Sequence, residues 1–321
     1  MMIISSVNQK NGLKKIGVFH QSRNNINDQS CLHFYMEKGK VQCSKEVDIQ
    51  VINYTTQLNE RNHGIIDQSC LQEMSVTIIG LGSGGSPIAL DLIRCGVTSL
   101  NLIDFDTVSI SNLCRSPYDL FDIGRKKTEC VYEKALRINP CVNIQLYDED
   151  VLNMESEKLD HVLQNSDLII EATDSIKTKI LINGLAYHSK PIIYPSVYDM
   201  GKGGDILFTI PGLPCFECVF KSIIKDLKET KKAEWDYTTG ETKPMPALLS
   251  DIQVVVARAV KIALAILTAN TEKSFIEKIT EPGCSLLIIG NEKGLYLFDR
   301  PFQEVWAETQ INPKCSCQTL A

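Results

Sequence analysis

Val76-Thr77-Ile78-Ile79-Gly80-Leu81-Gly82-Ser83-Gly84-Gly85 is the stretch that decides the fold. A β-branched run stops at a glycine-rich turn, and Pro87–Cys95 beyond it has helical character. Gly80, Gly82 and Gly85 fit the spacing G-x-G-x-x-G. That spacing lets a backbone turn tightly between strand and helix and come close to phosphates at the helix N-terminus. Leu100–Ile103 reads as a second strand, so strand, glycine turn, helix and strand make a βαβ unit with a parallel sheet. Asp104 closes that strand, 19 residues after Gly85, where a carboxylate can accept hydrogen bonds from a ribose. Alone, the glycine motif marks a dinucleotide or nucleotide fold and does not separate NAD from ATP.

The alternation continues outward. Helices are expected around Lys126–Ile138, Glu155–Leu163 and Lys177–His188, and strands at Asn143–Leu146, Leu168–Glu171 and Ile192–Tyr194. Residues 201–210 read as antiparallel with a hairpin-like turn. The fold class expected is α/β, a Rossmann-like, doubly wound and mostly parallel sheet with an antiparallel extension. Residues 1–52 form a polar appendage with strand-like pieces at Ile16–His20 and Val47–Ile52, and residues 53–321 hold the main domain. Lys221–Met245 is charged and turn-rich, the expected site of an exposed mobile loop.

Bulk properties narrow the function. A net charge of −6 and a pI near 5.5 make nucleic acid an unfavoured partner. Met1–Ser6 holds too short an apolar run for a signal peptide. Val254–Leu267 is interrupted by Arg258 and Lys261 and reads as a core helix rather than a membrane span. A cytoplasmic location is the expectation. Single cysteines such as Cys95, Cys130 and Cys141 read as small buried hydrophobes of a reducing compartment. Cys215-Phe-Glu-Cys218 and Cys315-Ser-Cys317 differ, because two close pairs can make a closed, tetrahedral zinc site of four cysteines.

After Asp104 the chain runs Phe105-Asp106-Thr107-Val108-Ser109-Ile110-Ser111-Asn112-Leu113-Cys114-Arg115, then Gly124-Arg125-Lys126-Lys127. An Asn, an Arg and a Lys beside a nucleotide site suit a triphosphate. Asp104-x-Asp-x-Val-x-x-Ser-Asn-Leu-x-Arg115 closely resembles the signature of the ThiF/MoeB/E1-like activating enzymes. The similarity runs from about Tyr54 to Cys317. That family adenylates the C-terminal carboxylate of sulfur carriers, ubiquitin-like modifiers or short peptides with Mg·ATP, usually as a homodimer.

The resemblance implies roles by position. Gly80, Gly82, Ser83, Gly84 and Gly85 form the nucleotide loop. Asp104 holds the ribose, with Asp106 and Ser111 in the same signature. Asn112, Arg115 and Lys127 contact the phosphates, and Asp174, followed by Ser175, is the Mg2+-associated aspartate. Cys215, Cys218, Cys315 and Cys317 hold zinc in the C-terminal part, 211–321. The residues themselves agree on Asp174, which falls just past the strand Leu168–Glu171, where ligands bind in open α/β sheets.

Three departures stand out. Thr56 occupies the place of a family arginine, for which Arg61 is a candidate substitute. Ser175 replaces an asparagine, and Lys179 replaces an arginine. The 221–250 stretch holds no cysteine, so adenylation without an enzyme thioester from this loop is expected; Cys114 and Cys284 are the thiols left. The leading function is an adenylyltransferase for a ubiquitin-like or sulfur-carrier protein. A peptide-modifying enzyme of a natural-product pathway is the alternative in the same chemical class, and a tRNA-modifying dehydratase is a third. From another class, an NAD-dependent oxidoreductase is weakened by the lack of a catalytic setting for His20, His33, His63, His161 or His188. A binding-only protein would not need Asp104, Asn112, Arg115, Lys127 and Asp174 together.

Overall fold

The structure is a computed structural model. It describes residues 57–220, 246–274, 283–295, 298–315 and 317, with the backbone of short strands inside 1–52 and 235–242. The chain divides into two compact units, Met1–Arg61 and Asn62–Ala321. In the first unit, Met2–Ile4 pairs antiparallel with Phe19–His20 and with Val51–Ile52, and His33–Glu37 pairs with Lys40–Ser44. The hairpin at 33–44 had no counterpart in the sequence reading. Thr56 lies outside the described residues, as does most of the expected 221–245 loop.

The second unit is built on an eight-stranded sheet: β1 (Ser75–Ile79), β2 (Ser99–Ile103), β3 (Asn143–Tyr147), β4 (Leu168–Glu171), β5 (Ile192–Tyr198), β6 (Gly203–Thr209), β7 (Cys284–Gly290) and β8 (Gln303–Glu308). Their order is β8-β7-β6-β5-β4-β1-β2-β3. Strands β3, β2, β1, β4 and β5 run parallel, and β6, β7 and β8 add antiparallel pairs at one end. This is the expected α/β sheet with its antiparallel extension. Strand β5 outruns its expected end by four residues. Pro195 lies inside it, opposite Ile206 of β6 and past the Ile192 and Ile193 positions that pair with β4. Proline, lacking an N–H, is tolerated where the ladder on one side has ended.

Among the described residues, its α-helices are α1 (Gln68–Glu73), α2 (Gly85–Cys95), α3 (Lys127–Ile138), α4 (Ser156–Gln164), α5 (Ile176–Ala186) and α6 (Leu249–Leu267). Side chains alternate across the strands, as a doubly covered sheet requires. Val76, Ile78, Leu100, Leu102, Leu168, Ile170, Ile206 and Phe208 join the core packed with α2, α3 and α6. Ile79, Ile103, Ile169, Ile192, Tyr194 and Leu207 join the core packed with α4 and α5. Each fully buried aliphatic side chain contributes about 1.5–3 kcal/mol. Helix α6, with Ile252, Val255, Ala259 and Ala263 buried, is a core helix as expected. Among the described residues no helix is long and apolar enough to cross a membrane.

Candidate functional site

The glycine turn joins β1 to α2 and rests against the turn after β4. Gly80 has φ +86°, and a Cβ there would fall 2.9 Å from Thr173 Cγ2. A Cβ on Gly85 would lie 1.9 Å from the Gly80 carbonyl oxygen. Both positions therefore need glycine for the loop to close. Gly82 and Gly84 differ, because a Cβ on either would meet no atom within 4 Å. Their missing side chains leave open room over the N-terminus of α2, a cradle whose exposed backbone suits a phosphate chain. The Tyr118 hydroxyl donates to the Leu81 carbonyl at 2.6 Å, and Ser86 Oγ donates to the Gly82 carbonyl at 2.6 Å, which fixes the loop from both sides. Nothing in the sequence around Ser116-Pro-Tyr118 signalled that anchor.

Asp104 directly follows β2 and is buried. Its Oδ2 accepts the Leu81 N–H at 2.6 Å and its Oδ1 accepts the Asp106 N–H at 2.8 Å. Burial pushes its carboxyl up, against the pull of Lys127 and these two N–H groups. Lys127, the first residue of α3, is buried too; its Nζ lies 2.6 Å from Asp106 Oδ2 and 3.8 Å from Asp104 Oδ2. Glycine loop, Asp104, Asp106 and Lys127 are thus one connected cluster at the C-terminal ends of β1 and β2, where open α/β sheets bind ligands.

The signature segment forms a short 3-10 turn, Ile110–Asn112. Asn112 Oδ1 accepts the Ser109 N–H at 2.9 Å, and the Ser109 and Ser111 hydroxyls are hydrogen-bonded to each other. Asn112 therefore shapes its own loop, while Ser111 is exposed and Arg115 half-buried. Asp174 is exposed in the turn between β4 and α5. Ser175 is the N-cap of α5, its Oγ accepting the Thr178 N–H at 3.2 Å. Through Thr173, which leaves no room for a Cβ at Gly80, the Asp174 turn abuts the glycine loop. Sequence reasoning passed over Glu171, whose one signal was an acid ending an otherwise apolar strand, Leu168-Ile-Ile-Glu171. Of the two candidate thiols, Cys114 is exposed and Cys284 half-buried.

A second cluster lies in the α4/α5 core. The sulfur atoms of Cys215, Cys218, Cys315 and Cys317 lie within 4.8 Å of one another. Cys215 Sγ is 3.7 Å from Cys218 Sγ and 3.6 Å from Cys315 Sγ, and Cys218 Sγ is 3.5 Å from Cys317 Sγ. A tetrahedron with metal–sulfur bonds of about 2.3 Å has edges of about 3.8 Å, so the four thiols fit a metal ion. The Asn312 N–H donates to Cys218 Sγ at 3.4 Å, the outer-shell support such a ligand needs. The C-x-C spacing does not keep Cys317 away.

Comparison with known proteins follows the same lines. Residues 54–283 match the model of the family described as ThiF family. A sulfur carrier protein adenylyltransferase of Thermus thermophilus is 29% identical over 160 residues, covering 48% of this chain and 58% of that protein. The molybdopterin-synthase adenylyltransferase of Escherichia coli is 30% identical over 175 residues, covering 54% of this chain and 69% of that protein. The chain thus spans little more than half of the Thermus relative's length. Among solved structures, E. coli MccB with ATP superimposes with a TM-score of 0.59 at 17% identity, covering 78% of this chain and 68% of that one. At that identity the likeness is one of fold.

Proposed function

The chain belongs to the ThiF family, and we propose from this that it is an ATP-dependent adenylyltransferase. Its substrate is the C-terminal carboxylate of a sulfur-carrier or other ubiquitin-like protein, activated as an acyl-adenylate. The observation that carries the reading is the convergence of the open glycine cradle, buried Asp104, Lys127 and Asp174 at one end of the parallel strands. The two adenylyltransferase relatives support it.

The roles follow from charge. The glycine loop receives the triphosphate, and Asp104 accepts from the ribose hydroxyls. The substrate carboxylate is already ionised at neutral pH and needs no general base when it attacks the α-phosphorus. Lys127 and Arg115 offset the charge that builds on the phosphates as pyrophosphate leaves. Asp174 is the residue for Mg2+, which adds further charge neutralisation at the triphosphate. Zinc in the four-cysteine site is structural, since all four positions are taken by protein. A homodimer and a cytoplasmic location belong to the same reading.

ATP–pyrophosphate exchange tests it, run with and without candidate β-grasp proteins and short peptides, and repeated with Asp174→Ala. Exchange that needs a carrier protein and disappears in the variant supports the reading. Exchange with a peptide alone points to peptide modification, and ATP binding without any exchange removes the proposed activity.

A further inference from the structure

Asp174 sits in a turn built over a buried ion pair. Glu171 is fully buried at the end of β4, and Lys179 of α5 is buried beside it. Lys179 Nζ lies 2.5 Å from Glu171 Oε2 and 3.4 Å from the Glu171 carbonyl oxygen. The same ammonium stands 5.9 Å from the centre of the Tyr194 ring, a cation–π distance. The other carboxylate oxygen, Glu171 Oε1, faces the turn. It accepts the Thr173 N–H at 3.2 Å and also the Thr173 hydroxyl. Thr173 Oγ1 in turn accepts the Ser175 N–H at 3.3 Å, and Ser175 caps α5. A continuous run of hydrogen bonds thus brackets Asp174 on both sides and starts at the Glu171 carboxylate.

The glycine loop rests on this turn as well. A Cβ at Gly80 would come within 2.9 Å of Thr173 Cγ2, and one at Gly85 within 3.2 Å of the Ala172 Cβ. Any shift of residues 172–173 is therefore felt at the phosphate cradle.

Burial alone pushes the Glu171 carboxyl up, and Lys179 is the charge that opposes it. Without a cation beside it, a carboxylate at this depth takes up a proton. Its grip on Thr173 then weakens, because hydrogen bonds to an ionised acceptor are roughly twice as strong as neutral ones.

We propose that Lys179 is a positioning residue: by pairing with Glu171 it sets the 172–175 turn, and through it the Asp174 carboxylate and the glycine loop. The proposal rests on the reading of Asp174 as the Mg2+-associated group, and its test is one of binding rather than turnover. Binding of a fluorescent ATP analogue to the full chain is titrated against Mg2+, with no carrier protein present, in the parent, Asp174→Ala, Lys179→Met and Lys179→Arg. In Lys179→Met the Mg2+ concentration for half-maximal binding should rise about ten- to a hundredfold, the usual effect of losing an outer-shell partner. Lys179→Arg should recover most of it, which a loss of packing alone would not predict. A parental Mg2+ midpoint in Lys179→Met, alongside a shifted one in Asp174→Ala, overturns the proposal and leaves the reading of Asp174 intact. No shift in Asp174→Ala removes that reading and the proposal with it. Should Lys179→Met fail to fold, Glu171→Gln/Lys179→Met removes both charges at nearly constant volume. The midpoint is expected to rise there too, and an unchanged value overturns the proposal.

Discussion

Lys127 donates to Asp106 Oδ2 across 2.6 Å, so the cation beside Asp104 already has a partner. The lysine side chain is buried and the Asp106 side chain about half exposed, which makes the aspartate the movable member. On the proposed function, a phosphate arriving in the cradle would compete with Asp106 for the ammonium. Asp106→Asn keeps a hydrogen bond and drops the competing charge, so it should bind ATP at least as tightly as the parent. A tenfold weaker Kd by calorimetry would sink that idea. Lys127→Ala should lower the exchange rate by about a hundred- to a thousandfold, the range seen when one preorganised charge-stabilising donor is removed.

The four glycines of the loop should separate into two kinds. Gly85→Ala drives a Cβ to 1.9 Å from the Gly80 oxygen, so the loop must open and the protein should lose thermal stability along with ATP binding. Gly84→Ala meets no protein atom within 4 Å, so folding should be spared. Its methyl group would occupy room left for the phosphates, and ATP binding should weaken at an unchanged melting temperature. Thermal unfolding with and without ATP checks both. A Gly84→Ala variant that binds ATP normally would show that the nucleotide does not approach that edge of the loop.

The parallel half of this fold was legible because its signals are local. Ile78-Ile79 running into Gly80 marks a strand end, and Asn143–Leu146 and Leu168–Glu171 were placed nearly residue for residue. Helix α6 was cut short at Val254, because Ser250, Asp251 and Gln253 interrupt the apolar run. The helix starts at Leu249, and an acid in the first turn complements the helix dipole. Strand β7 escaped notice because it pairs antiparallel with β6, far away in sequence, and β8 because it is joined to β7 by the long stretch 291–302 rather than by a two-residue hairpin turn. Asp104 and Lys127, which the structure brings together, were singled out from their place after the glycine turn. The Glu171–Lys179 pair was not, since only burial tells a structural charge from a solvated one.

The cysteine cluster ties the C-terminal segment to the chain after β6, about a hundred residues away in sequence. Metal analysis of the purified protein should find one zinc per chain. Cys315→Ser should lose the metal and lower the unfolding midpoint, because metal binding is linked to folding. Chelation should act the same way and expose the residues after Glu308 to proteolysis. A metal-free protein that melts like the parent would show that the four thiols support each other by packing alone.

Asp205 of β6 gives the second unit a pH dependence whose sign can be worked out. The residue keeps part of its surface at solvent, yet its Oδ1 is sealed and has no hydrogen-bond partner among the described residues. Burial pushes the carboxyl up to about 7 from its ordinary value near 3.8, while Lys179 of α5 and the Ser196 hydroxyl of β5 pull the other way. The folded form therefore holds the proton more tightly than the unfolded chain does. Below pH 3.8 both states are protonated, and the contribution to stability is fully present. As pH rises towards about 7 the unfolded chain ionises first, so stability falls, and the loss levels off once the folded form has ionised as well. Asp205→Asn has nothing to titrate at this position. The melting-temperature difference, variant minus parent, should grow between pH 4 and pH 7 and then stay flat. A difference that is constant over that range would mean that Asp205 titrates normally in the folded protein, with water or a counter-charge reaching its Oδ1.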